Sequence, residues 1–273
     1  MSHPDLKQLF ENVTQKSDKV DAYFSVYQNL FKQYRSRPNL VFVEVGVKNG
    51  GSLSMWREFF GPSARIIGID YNPSAAGMRE RGFEICIADQ SSSEFWERFF
   101  RDVGPIDVLL DDGGHTNKQQ IVTVECALDH INDGGLILVE DTHTSYMRSY
   151  GNPSRYSFMN YAKMVADKIQ VRAYPFKNAA PNRFSKVVHS IAFFESMVAF
   201  NINRELCCES NLVHSGKDAL AASAEGSAIS VSRGSPVRAF LRKLGLRAVK
   251  RKLNPAIGRL HLFLENQTLR KYF

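Results

Sequence analysis

Residues 40–52 read LVFVEVGVKNGGS: a short β-branched run from Leu40 to Val45, a loop opened by Gly46 and closed by Gly50 and Gly51, and then Ser52. Helix formers continue from Ser52 to Phe60, so the segment is a strand, a glycine loop and a helix in succession. The same alternation runs downstream. Apolar strands are expected at Ile66–Asp70, Glu84–Ala88, Ile106–Leu110 and Leu136–Val139, with helical stretches between them at 74–81, 92–101 and 117–131. Short apolar strands alternating with helices predict an α/β, doubly wound, mostly parallel sheet. Two later runs, Ile169–Tyr174 and Val187–Val198, read as further strands that form an antiparallel edge. Upstream, Leu6, Leu9, Phe10 and Val13, then Tyr23, Val26, Tyr27, Leu30, Phe31 and Tyr34, recur at helical spacing and predict two helices packed on the sheet domain.

A chain of 273 residues that is 44% hydrophobic is long enough to bury a full core. Its first residues are polar, and nowhere do about 18 apolar residues follow one another, so the expectation is a cytoplasmic protein. Cys86, Cys126, Cys207 and Cys208 form no CxxC pair and suggest neither a zinc site nor a disulfide framework. The net charge of +7 is concentrated at one end: from Arg233 to Phe273 eleven Lys and Arg face the single acid Glu265, which leaves the preceding residues mildly acidic. A body of that sign does not advertise a nucleic-acid surface. The organisation expected is N-terminal helices over 1–36, an α/β domain over 37–210, an Ala/Ser/Gly-rich flexible linker over 211–236 and a basic amphipathic tail over 237–273. Such a tail suits a peripheral contact with an anionic membrane surface, and equally a helix folded back on the domain.

Ligands of doubly wound sheets bind beyond the carboxyl ends of the strands. A dinucleotide fingerprint would require glycine at position 48, where Lys48 stands. The spacing Glu44-x-Gly46-x-x-x-Gly50 instead resembles the first motif of class I S-adenosylmethionine-dependent methyltransferases. That resemblance implies a Rossmann-like fold in which Glu44, Gly46, Gly50, Gly51 and Ser52 surround the methionine part and ribose of S-adenosylmethionine. Asp70, at the end of the second strand, is placed to accept hydrogen bonds from ribose hydroxyls, or else to cap the next helix. Asp89 and Gln90, at the end of the third, are placed near adenine; the other readings make Asp89 a helix cap and leave Gln90 in solvent.

The fourth and fifth strands run into Asp111-Asp112-Gly113-Gly114-His115 and Glu140-Asp141-Thr142-His143. Carboxylates crowded on one rim repel each other and raise each other's pKa unless a cation joins them. Oxygen donors suit Mg2+, with Asp112, Glu140 and Asp141 as ligands and two vicinal hydroxyls of a substrate completing the shell. His115, beyond a flexible Gly-Gly, is then placed as general base. Asp111 reads better as a hydrogen-bonding partner than as a ligand. His143 and Tyr146 are candidate substrate contacts, and Lys163 with Asp167 reads as an exposed ion pair.

Taken together, SDKVDAYFSVYQNLF, FVEVGVKNGGSLSMWREFFGPSARIIGID, ADQSS, DVLLDDGGHTNKQ and LILVEDTHTSY resemble the metal-dependent sugar O-methyltransferases of macrolide antibiotic biosynthesis, the mycinamicin type. Rhamnosyl O-methyltransferases and proteins known as cephalosporin hydroxylases share the likeness, which runs in order over roughly residues 15 to 200. The resemblance implies metal at Asp112, Glu140 and Asp141, His115 as base, and a sugar-containing acceptor. It also implies that Tyr23 and the segment Ser17-Asp18-Lys19 lie near the active site, and that a homo-oligomer completes the pocket. Gly114 departs from the pattern, which carries serine there. Two rivals stay open: an O-methyltransferase acting on a non-sugar vicinal diol or catechol, and a non-catalytic, membrane-associated adaptor that retains the cofactor site.

Overall fold

The computed structural model describes residues 5–150, 155–173, 176 and 179–213. The basic tail and all of the linker beyond residue 213 lie outside the described residues.

Seven strands form one sheet: β1 Val41–Val45, β2 Arg65–Asp70, β3 Glu84–Ile87, β4 Ile106–Asp111, β5 Ile131–Val139, β6 Val188–Phe194 and β7 Met197–Ile202. Their order is β3-β2-β1-β4-β5-β7-β6, parallel from β3 to β5, with β7 antiparallel to both of its neighbours. After β3 the chain crosses back to lay β4 beside β1, and the switch point therefore falls between β1 and β4. Register then aligns the strand ends. Val45 pairs with Ile69 and with Asp111, and Asp111 pairs with Val139. The residues that follow β1, β4 and β5 consequently leave the sheet side by side.

β1, β2, β4, β7 and the second half of β5 are buried on both faces, and their side chains alternate between two cores. Phe42, Leu110 and Leu138 join α1 (Leu6–Glu11), α2 (Tyr23–Phe31) and α3 (Gly51–Phe60) on one face. Val43, Leu109 and Ile137 pack on the other against α4 (Ser93–Val103), α5 (Asn117–Ala127) and α6 (Phe158–Ile169). The first core is built around the fully buried Trp56, whose indole lies 5.3 Å from the rings of Tyr27, Phe31 and Phe42. Helix starts follow local chemistry: Ser92 and Ser157 cap α4 and α6, and Thr116 with Gln119 forms a capping box on α5.

The antiparallel edge exists, but it comes from one segment rather than two. Val187–Val198 is not a single strand: it turns at Ser196, which has a φ of 61°, and supplies most of the β6–β7 hairpin. Of the predicted strand Ile169–Tyr174, the described residues 169–173 are not a strand, and Tyr174 lies outside the described residues. Ile169 continues the helical series Phe158, Ala162, Val165 of α6, and a 3₁₀ turn, Gln170–Arg172, follows it. The Arg172 guanidinium fixes this turn by donating to the carbonyls of Ser185, Val188 and His189. The predicted helix at 74–81 is a 3₁₀ segment, Pro73–Arg81. Among the described residues no helix is long and apolar enough to cross a membrane.

Trp56→Ala removes the hub of the first core, and should lower unfolding stability by about 3–5 kcal/mol in a urea titration. A loss below about 1 kcal/mol would show that the aromatic cluster is not the packing centre.

Candidate active site

A cavity of about 710 Å³ opens at the carboxyl ends of β1 to β5, lined among others by Gly46, Lys48, Asp70, Asp89, Asp112 and His115. Its floor depends on close backbone approach. Gly46 has a φ of 92°, and a Cβ there would lie 2.0 Å from the Asp112 carbonyl oxygen, so only glycine lets the β1 loop touch the β4 loop. Asp70 holds the loop from the other side: one carboxylate oxygen accepts from the amides of Val47 and Lys48, both at 2.8 Å, and the other accepts from Asn72 at 2.7 Å. The helix-capping reading falls to Asn72, whose side chain accepts from the Ser74 amide.

Several residues expected at a cofactor have their side chains engaged by the protein, although Ser52, Asp89 and Gln90 line the cavity. Ser52 donates to Glu44 at 2.8 Å, and both are buried. Gln90 is neither solvated nor free toward a base: its amide donates to Asp111 and Thr123 and accepts from the Gly114 amide at 2.9 Å. It therefore shapes the Asp112–His115 loop from beneath. Asp111 behaves as a structural partner, accepting from Gln90 and from the Gly113 amide, and burial pushes its carboxyl up. Asp89 accepts from the Ser91 amide at the pocket edge. A Cβ at Gly114 would come within 2.2 Å of the Gln119 side-chain amide, which builds the α5 capping box and would have to swing aside.

The acidic rim is assembled as expected from β4 and β5, but it contains a cation. Lys19, whose side chain is 2% exposed, places Nζ 2.7 Å from Asp112, 3.0 Å from Glu140 and 3.7 Å from Glu44. Burial opposes its charge, yet Asp112 and Glu140 outweigh burial and hold its pKa well above the ordinary lysine value. Tyr27 donates to Glu140 at 2.5 Å and Tyr23 to Asp141 at 2.6 Å, and burial raises the pKa of both phenols. Glu140 is thus turned toward Lys19 and Tyr27. Among the described residues, one set of three metal-ligating groups has donor atoms within 4.8 Å of one another: Asp112, His115 and Asp141. His115 Nε2 stands 3.4 Å from Asp141 and 3.9 Å from Asp112, while its Nδ1 is buried without a partner. Both His115 and Asp141 hold left-handed backbone, at φ 59° and 53°.

His143 and Tyr146 do not line the cavity. His143 is tied to the Ser196 hydroxyl of the β6–β7 turn, and Tyr146 is largely exposed. Tyr23 does line it. Residue patterns alone did not single out Lys19, Tyr27 or Ser196; the available signal was the i, i+4 spacing of Tyr23 and Tyr27, which sets both hydroxyls on one face of α2.

Residues 43–142 match the family described as Methyltransferase domain. The chain carries a methyltransferase fold. The chain is 30% identical over 212 residues to the mycinamicin VI 2''-O-methyltransferase of Micromonospora griseorubida, covering 70% of this chain and 52% of that protein. It is also 30% identical over 178 residues to an 8-demethyl-8-alpha-L-rhamnosyl tetracenomycin-C 2'-O-methyltransferase of Streptomyces olivaceus, covering 60% and 46%. Among solved structures, the MycE methyltransferase of the mycinamycin biosynthetic pathway in complex with Mg and SAH superposes with a TM-score of 0.67. That likeness is 26% identical and covers 74% of this chain and 54% of MycE. The chain thus spans about half the length of the relatives it matches.

Burial pushes the Glu44 carboxyl up to about 7, with Lys19 opposing the rise. A carboxyl raised on folding binds more protons folded than unfolded between about pH 4.5 and 7, so it costs stability progressively as pH rises through that window. Glu44→Gln removes the cost and should gain on wild type with rising pH, reaching on the order of 3 kcal/mol above pH 7. Denaturant titrations of both proteins from pH 4.5 to 8 check this; a constant offset would contradict the burial of an ionisable Glu44.

Proposed function

We propose that this chain is an S-adenosylmethionine-dependent O-methyltransferase, assisted by Mg2+, that methylates a sugar hydroxyl of a glycosylated acceptor. The observation that carries the reading is one cavity in which the β1 glycine loop and Asp70 stand beside the rim of Asp112, His115, Glu140 and Asp141. The support from comparison is that MycE binds Mg and SAH, and in a further structure mycinamycin VI as well.

The residues fit both groups. Asp70 and the glycine loop form the cradle for the cofactor, which supplies the electrophilic methyl group. Asp112 and Asp141 offer oxygen donors on the cavity side, and Glu140 is the third carboxylate; with Glu44 these acids outnumber the single ammonium of Lys19, leaving negative charge for a divalent ion. Bound there, Mg2+ would orient an acceptor diol and make its hydroxyl more acidic. Tyr23 orients the Asp141 carboxylate through its hydroxyl. His115 presents Nε2, since Nδ1 is buried, and takes the acceptor proton as oxygen attacks the methyl group. No covalent intermediate with the protein is required.

Purified protein given S-adenosylmethionine, Mg2+ and a panel of glycosides, catechols and simple diols should methylate glycosides, detected by mass spectrometry. His115→Ala should keep S-adenosylhomocysteine and metal binding while losing about 10²–10⁴-fold in turnover. Asp70→Ala should instead lose calorimetric binding of S-adenosylhomocysteine. Failure of folded wild-type protein to bind that ligand overturns the reading, and methylation of catechols alone overturns the sugar acceptor.

A further inference from the structure

Three carboxylates from three different strands converge on one ammonium. Glu44 belongs to β1, Asp112 follows β4 and Glu140 follows β5, and all three face Lys19 Nζ at 3.7 Å or less. Among the described residues no other Lys or Arg pairs with them. Lys19 does not belong to the sheet. It lies on the irregular segment between α1 and α2, and its Nζ also stands 5.6 Å from the ring centroid of Tyr27. This segment crosses the cofactor loop: a Cβ on Gly51 would meet the Ser17 Cβ at 2.6 Å and the Gln15 carbonyl oxygen at 2.9 Å, and Lys48 pairs with Asp18 at 2.8 Å.

We propose that Lys19 is a positioning residue, a resident cation that keeps Glu44, Asp112 and Glu140 together when no divalent ion is bound and thereby anchors the 12–22 segment over the cofactor loop. The inference rests on the metal reading above for its Mg2+ arm alone. Buried like charges repel strongly at low dielectric, and one partner removed from a buried pair leaves the other uncompensated. A protein built this way tolerates an empty metal site. Without Lys19 the same cluster must recruit a cation from solution in order to fold well, so its stability becomes metal-dependent.

The test is thermal unfolding of the full chain at pH 8, in EDTA and in saturating Mg2+, for wild type, Lys19→Met, Glu44→Gln and Lys19→Met/Glu44→Gln. Lys19→Met should melt about 10 °C below wild type in EDTA and recover at least half of that loss in Mg2+, a larger shift than Mg2+ gives wild type. In EDTA, Glu44→Gln should gain more stability in the Lys19→Met background than it gains in wild type, because there it removes a charge that no lysine pairs. Equal destabilisation of Lys19→Met with and without Mg2+, together with no compensation by Glu44→Gln, would show a packing residue and overturn the proposal. If Lys19→Met does not fold, the double variant is read by the same contrast with wild type. Mn2+ binding to wild type, followed by electron paramagnetic resonance, separates the two claims: its absence overturns the metal reading, while the EDTA comparison still decides the role of Lys19.

Discussion

Mutual repulsion among carboxylates at the switch point is the constraint around which this molecule is arranged. Parallel register places the ends of β1, β4 and β5 next to one another, and each ends in or beside an acid: Glu44, Asp112, Glu140 and Asp141. Such a cluster persists in a packed interior only when every oxygen has a donor or a cation nearby. The N-terminal helices answer that requirement. Tyr23 and Tyr27 of α2 reach Asp141 and Glu140, and the segment before α2 delivers Lys19. The helices that cover one face of the sheet are therefore also part of the site.

The cofactor loop is tied to the same cluster through backbone contacts. Gly46 touches the Asp112 carbonyl, and the Asp112 amide donates to Val45 at 2.9 Å, so a shift of the β4 loop is felt at the glycine loop. Asp70 clasps the loop from β2, and Gln90 supports the Gly113–Gly114 turn from β3. Each strand end thus holds its neighbour, which is how an open rim of loops becomes a defined cavity.

The parallel half of the sheet was legible in the sequence because each strand is a short apolar run closed by a glycine or an acid, as in Leu40–Gly46 and Ile106–Asp111. The acids and His115 were legible for the same reason, since strand ends are where ligands bind in this topology. Ile169–Tyr174 misled because an apolar, β-branched run is also the last turn of an amphipathic helix, and Arg172 bonds that decide the matter come from residues 13 to 17 positions away. Gln90 lines the cavity as expected, but its bonds to Asp111, Thr123 and Gly114 were not legible because tertiary packing alone sets them. Lys19 shows the limit most clearly. The family resemblance places its segment near the site, but nothing local gives the lysine a partner; the fold brings Asp112 and Glu140 to it across 93 and 121 residues.

The proposed function requires a cofactor and a divalent ion to occupy adjoining parts of one cavity. The most direct test is a crystal structure of the full chain grown with Mn2+ and S-adenosylhomocysteine, with the metal located by anomalous scattering. The expected result is one strong anomalous peak coordinated by Asp112 and Asp141, and S-adenosylhomocysteine density against the Gly46–Gly51 loop and Asp70. An ordered crystal with the ligand elsewhere, or with Lys19 in place and no metal on the rim at saturating Mn2+, would contradict it.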